Sequence, residues 1–175
     1  GADGTMGAAR PMNDPLYLAW AGDADLRLVI RQGVAGTLMP AFAEGHGGNL
    51  TDKQIDILVD EMRHRWAKAE KFRGMQLPAY AASIGDATRG AEVYQQLCAR
   101  CHGPDGTGGT AHGSVVDSSY LALVSNQALR TSVVVGRSDL GMPDFMSVSP
   151  GTQMTPQQIA DVVAWLAAHR VEFPG

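Results

Sequence analysis

Residues Cys98-Ala99-Arg100-Cys101-His102 constrain this chain more than any other five. Two thiols three positions apart, followed at once by an imidazole, form the C-x-x-C-H pattern of c-type haem attachment. Each sulfur can make a thioether to one porphyrin vinyl group, and the adjacent histidine reaches the iron from one face. These are the only two cysteines in 175 residues, so no disulfide partner competes for them. A zinc site would need two more ligands at matching spacing, and His46, His64, His112 and His169 supply no such pair. A thioredoxin-like pair would sit in a βαβ pattern, which is absent.

Iron held by His102 needs a second axial ligand. Gly141-Met142-Pro143 lies 40 residues after His102, in a Gly/Pro-rich loop behind the apolar run Ser132–Val135 and Gly136. A thioether is a soft ligand that favours ferrous iron and raises the reduction potential. Eight methionines are present, and most methionines fill cores. Met146 is the competitor, whereas Met154 stands just before a helix start, where a packing staple is the natural role. Met142 is the expected ligand, with Pro143 shaping its loop.

These features together resemble a class I cytochrome c domain over residues 87–170: a helix into C-x-x-C-H, the Gly-rich loop Gly103–Gly109, a short helix near Gln127–Val135, the Met-Pro loop and a last helix. The resemblance implies an all-α fold with haem in a crevice. It also implies a close crossing of first and last helices, for which Gly90, Tyr94 and Trp165 are placed. The family often has a proline carbonyl that orients the ligating imidazole. Here Gly113 or a neighbour stands near that place, which leaves the outer partner of His102 unassigned.

A search for internal repeats aligns the first third of the chain with this domain at an offset of 102 to 104. Gly1-Ala2-Asp3-Gly4-Thr5 matches Gly103-Pro104-Asp105-Gly106-Thr107, and Tyr17-Leu18 matches Tyr120-Leu121. Leu26-Arg27 matches Leu129-Arg130, Gly33 matches Gly136, and Met39-Pro40-Ala41-Phe42 matches Met142-Pro143-Asp144-Phe145. Leu50–Ile55 matches Met154–Ile159. The expected organisation is therefore two tandem class I cytochrome c-like domains: 1–66, a linker over 67–86, and 87–175. The first copy begins one position past where a C-x-x-C-H would end, with Pro11 at the imidazole-orienting place. It is expected to belong to a longer dihaem protein, with Met39 as iron ligand of a second haem. The rival is a one-haem protein whose first domain has become a docking module.

Local signals agree with helices. Thr51 with Gln54, and Thr155 with Gln158, form capping boxes, and Pro156 suits a first helical position. Ile55, Leu58, Val59, Met62 and Trp66 share one helical face, as do Ile159, Val162, Val163 and Leu166. Asp23 or Asp25 can open a helix that Gly33 closes. Arg63, His64 and Arg65 fall on a last turn, where positive charge suits the dipole. Residues 67–86 begin as a charged helical extension, and Leu77, Tyr80 and Ile84 give them apolar groups to pack. His46 reads as an exposed loop residue and Arg10 as a propionate contact or a solvated charge. Small domains bury little surface, so haem would supply much of each interior.

A net charge of −4 excludes a nucleic-acid footprint, which would be basic. Three lysines cannot make a lysine-rich docking ring. No apolar stretch approaches a membrane span. With Met142 expected to fill the iron's sixth position, the sequence reads as an electron carrier rather than an enzyme. Its expected cofactor is haem c, held by Cys98, Cys101, His102 and Met142. Its expected partners are redox proteins, including a respiratory or photosynthetic complex, and haem attachment to C-x-x-C-H implies the bacterial periplasm or another extracytoplasmic face. A catalytic haem subunit of an oxidoreductase is the alternative, and it would need an open iron position.

Overall fold

The computed structural model describes residues 2–5, 9–35, 37–109 and 112–172. Gly1, at the head of the repeat match, lies outside them. Among the described residues the regular structure is helical. The only β pairing among the described residues is three isolated bridges, Ala43 with Leu50, Arg137 with Met142, and Ser149 with Thr152. The chain divides into two units, Gly1–Tyr80 and Ala81–Gly175.

In the first unit, α1 (Pro15–Trp20) starts where Asp14 accepts from the Tyr17 N–H at 2.9 Å and Pro15 takes a position that needs no donor. Helix α2 (Asp23–Gln32) ends at Gly33, and α3 (Asp52–Trp66) opens with the Thr51–Gln54 capping box. Leu16, Leu18, Trp20, Leu26, Ile55 and Val59 are buried between them. Arg63 does more than face the α3 dipole. Its guanidinium donates to the Leu18 carbonyl, to the Ala21 carbonyl at 2.5 Å and to Asp23 Oδ1 at 2.6 Å, and so closes the C-terminal end of α1.

The charged extension expected after α3 is not a continuation of it. Ala67 ends the helix, and a 3₁₀ turn follows at Ala69–Phe72. Trp20 Nε1 donates to the Pro78 carbonyl at 2.7 Å, and the Trp20 and Tyr80 rings lie 4.8 Å apart. Residues 78 and 80 thus pack on α1 because a buried indole N–H must find an acceptor, whereas Ile84 is 95% exposed.

The second unit contains α4 (Ala87–Leu97), α5 (Ala99–His102), α6 (Ser118–Leu123), α7 (Asn126–Val135) and α8 (Pro156–Ala168). Helices α4 and α8 cross where Gly90 lies so close that a Cβ there would sit 2.0 Å from the Asp161 carbonyl oxygen. Tyr94 stacks on Trp165 with centroids 4.0 Å apart. Leu121, Leu129, Val163 and Leu166 make a core under this crossing. Beyond α8, Arg170 donates to the Leu121 carbonyl at 3.0 Å, the Val124 carbonyl at 2.8 Å and Asn126 Oδ1.

Asp161, only 2% exposed, is the polar pin of the crossing. Its carboxylate accepts from the Asp86 N–H at 2.7 Å, from Arg89 Nε and Nη2 at 2.8 and 2.9 Å, and from Gln157 Nε2 at 2.9 Å. The Arg89 guanidinium outweighs burial and holds the carboxyl down to about 2, with the Asp86 N–H and Gln157 helping. A carboxyl depressed in the folded state stabilises fully above its unfolded value and loses that contribution as pH falls toward the folded one. Asp161→Ala is therefore expected to cost about 2–3 kcal/mol at neutral pH. It should also flatten the fall in stability between roughly pH 4 and pH 2. Urea unfolding across that range measures both effects, and an unchanged acid limb would contradict them.

Candidate functional site

The second unit opens into a crevice of about 620 Å³, mouth included, lined by Leu97, Cys98, Arg100, Cys101, His102, His112, Val133, Met142, Pro143, Asp144, Val148 and Met154 among others. Cys98 is both the last cap of α4 and the first of α5. Its N–H donates to the Tyr94 carbonyl at 2.8 Å, and its carbonyl accepts from Cys101 and His102 N–H at 3.1 and 3.0 Å. One tight turn therefore presents both thiols and the imidazole to the same wall. Cys98 is half-buried and Cys101 exposed. Burial, with Cys101 beside it, pushes the Cys98 thiol up to about 11.

Helix α4 also secures the loop behind His102. Tyr94 Oη donates to the Gly103 carbonyl at 2.6 Å, Gly108 N–H to the His102 carbonyl at 2.9 Å, and Val115 N–H to the Gly106 carbonyl at 2.8 Å. His102 Nδ1 is buried with no partner at normal hydrogen-bond geometry. Burial lowers the pKa of its ring. The Gly113 backbone opposes that shift, and the neighbouring His112 adds to it. The His102 and His112 rings stand 5.8 Å apart.

On the opposite wall, Arg137 N–H donates to the Met142 carbonyl and Met142 N–H to the Arg137 carbonyl, each at 3.0 Å. Of the three methionines near this loop, Met142 and Met154 line the crevice, whereas Met146 is half-buried outside its lining. Met154, expected as a helix staple, is 2% exposed and forms part of the crevice floor. Two thiols, an imidazole with a buried unpaired nitrogen and a thioether in a mainly apolar slot fit a flat apolar group bearing a metal. Among the described residues, no three His, Cys, Asp or Glu side chains converge on a metal-ion site.

His112 and Met154 were not singled out for this crevice by sequence reasoning. Each depends on how a loop folds back, and neither has a spacing signal relative to His102. In the first unit Met39 is half-buried, its carbonyl accepting from Val34 N–H at 3.0 Å and its N–H donating to Thr37 Oγ1 at 3.2 Å. Residues 1–80 contain no cysteine. His46 is exposed in a 3₁₀ turn, and Arg10 lies near enough to Tyr17 to act on its hydroxyl.

Residues 85–166 match the family described as "Cytochrome C oxidase, cbb3-type, subunit III". The cbb3-type cytochrome c oxidase subunit CcoP of Rhodobacter capsulatus is 26% identical over 172 residues, 89% of this chain and 58% of that protein. The chain thus spans little more than half the length of this curated relative. Among solved structures, the c-type cytochrome XoxG from Methylobacterium extorquens AM1 is 23% identical with a TM-score of 0.37, over 46% of this chain and 48% of its own. The Kuenenia stuttgartiensis reducing HAO-like protein complex contains a chain 16% identical with a TM-score of 0.49, over 86% of this chain and 73% of its own.

The methionines of the Met loop should differ sharply in what they support. Met154→Ala empties a filled site and is expected to cost about 2–4 kcal/mol. Met146→Ala should cost less than about 1 kcal/mol. Denaturant midpoints at constant m-value decide this, and equal losses would contradict the assignment.

Proposed function

We propose that this chain, a member of the class I cytochrome c family, carries a covalent haem in the second unit and passes single electrons between redox partners. The observation that carries the proposal is the single crevice lined by Cys98, Cys101, His102 and Met142. A haem seated there would supply the ferric–ferrous couple. Cys98 and Cys101 would hold it through their sulfurs, His102 would offer an imidazole and Met142 a thioether, with Pro143 shaping the loop. The apolar walls Leu97, Val133 and Val148 would exclude water from a bound haem. If His102 and Met142 both bound the iron, this chain's own side chains would leave no open position for peroxide or O₂. That distinguishes a carrier from a catalytic haem subunit.

In the same reading residues 1–66 are a second cytochrome c-like domain, 67–86 the connection and 87–175 the haem-bearing domain. Met39 stands where an iron ligand would in the first. Both cysteines belong to the second unit, so residues 1–80 by themselves hold no covalent haem. The name of the oxidase-subunit relative suggests a place in a respiratory complex, on the extracytoplasmic side where c-type haem is attached.

Intact mass after expression with a haem-attachment system tests the core of this proposal. One haem per chain is expected, and none in Cys98→Ala/Cys101→Ala. Met142→Leu should lower the midpoint potential by on the order of 0.1–0.3 V within the roughly 0.8 V that axial ligands span, and it should let carbon monoxide bind the ferrous protein. Met146→Leu should do neither. The reverse pattern would transfer the ligand role to Met146.

A further inference from the structure

We propose that Gly136 is a positioning residue for Met142, required by the ligand loop as well as by the helix it ends; this rests on the reading of Met142 as an iron ligand. Gly136 closes α7 at φ +69, with its N–H on the Ser132 carbonyl at 3.0 Å. That cap takes the backbone to φ +69 and ψ −166, a region open essentially to glycine alone. The surroundings ask for more. A Cβ on Gly136 would lie 2.5 Å from both the carbonyl carbon and oxygen of Pro143 and 2.6 Å from the Met142 carbonyl oxygen. These are backbone atoms and cannot swing aside as a side chain would.

Immediately beyond, the reciprocal Arg137–Met142 hydrogen bonds, both 3.0 Å, zip the chain leaving α7 to the chain entering the Met loop. Any side chain at 136 must therefore displace the Met142–Pro143 peptide, breaking the zip or carrying the thioether with it. Misplacing a ligating or reacting atom by about an ångström is costly.

The first unit repeats the arrangement. Gly33 closes α2 at φ +65, a Cβ there would lie 2.5 Å from the Met39 carbonyl oxygen and the Pro40 carbonyl carbon, and Val34 N–H donates to the Met39 carbonyl at 3.0 Å. Gly151, also left-handed at φ +72, has nothing within 4 Å of its would-be Cβ. It therefore offers a positive-φ position at which a substitution meets no collision.

The test uses the haem-loaded full chain. The absorption band of a methionine-sulfur bond to ferric iron and the far-UV helix signal are followed together through a urea titration. Gly136→Ala is expected to lose the band in buffer, or at far lower urea than its helices. Gly151→Ala, also at positive φ but free of any collision, should lose band and helices together. The proposal is overturned if Gly136→Ala keeps the band as wild type does, if its band and helices vanish together, or if it fails to fold where Gly151→Ala folds. Met142→Leu separates the two levels of inference. A band that survives it overturns Met142 as the ligand and this proposal with it. A band that it abolishes but Gly136→Ala retains overturns only the positioning role.

Discussion

The contact between Gly90 and the Asp161 backbone is the constraint on which the second unit rests. Two helices whose backbones touch cannot slide or rotate far without collision. The Asp161 carboxylate adds directional bonds to the Asp86 N–H and Arg89 on the other helix. Helix α4 is thereby fixed at both ends of its contact, and everything built on its C-terminus inherits that placement. Cys98 caps it, the α5 turn carries Cys101 and His102, and Tyr94 reaches from the crossing itself to the Gly103 carbonyl behind the imidazole. The thiols and the histidine owe their positions to a helix–helix contact some turns away.

Much of this was legible in the sequence because it is written in short spacings. The C-x-x-C-H turn, the capping boxes at Thr51 and Thr155, the glycine ends of α2 and α7, and the pairing of Gly90 with Tyr94 and Trp165 are all local patterns or family marks. What escaped is tertiary. Asp161 looks like any acidic residue on a helix until the start of α4 is laid against it. Trp20 does not announce that Pro78 and Tyr80 will cover it, so the segment after α3 read as linker. Met154 and His112 reach the crevice only through loop closure.

The two units also show which parts of a shared pattern a sequence can vary. The glycine-ended helix against a Met-Pro backbone recurs with nearly the same distances. The last helix does not. Asp161 and Trp165 of α8 correspond in register to Ile57 and Glu61 of α3, and Ile57 is 51% exposed. The glycine-ended helix against a Met-Pro backbone is thus common to both units, while the residues on this face of the last helix differ.

The arginines at the ends of the final helices show the same division in another form. Arg63 closes the carbonyls of Leu18 and Ala21 and binds Asp23, while Arg170 closes those of Leu121 and Val124 and binds Asn126. The acceptors correspond one to one at an offset of 103, but the donors differ by 107. Column-by-column alignment would score these arginines as unrelated, although they satisfy the same unmet acceptors. What persists between the units is a vacancy at the end of a short helix. Any guanidinium within reach can fill it, which leaves the length of the last helix free to drift.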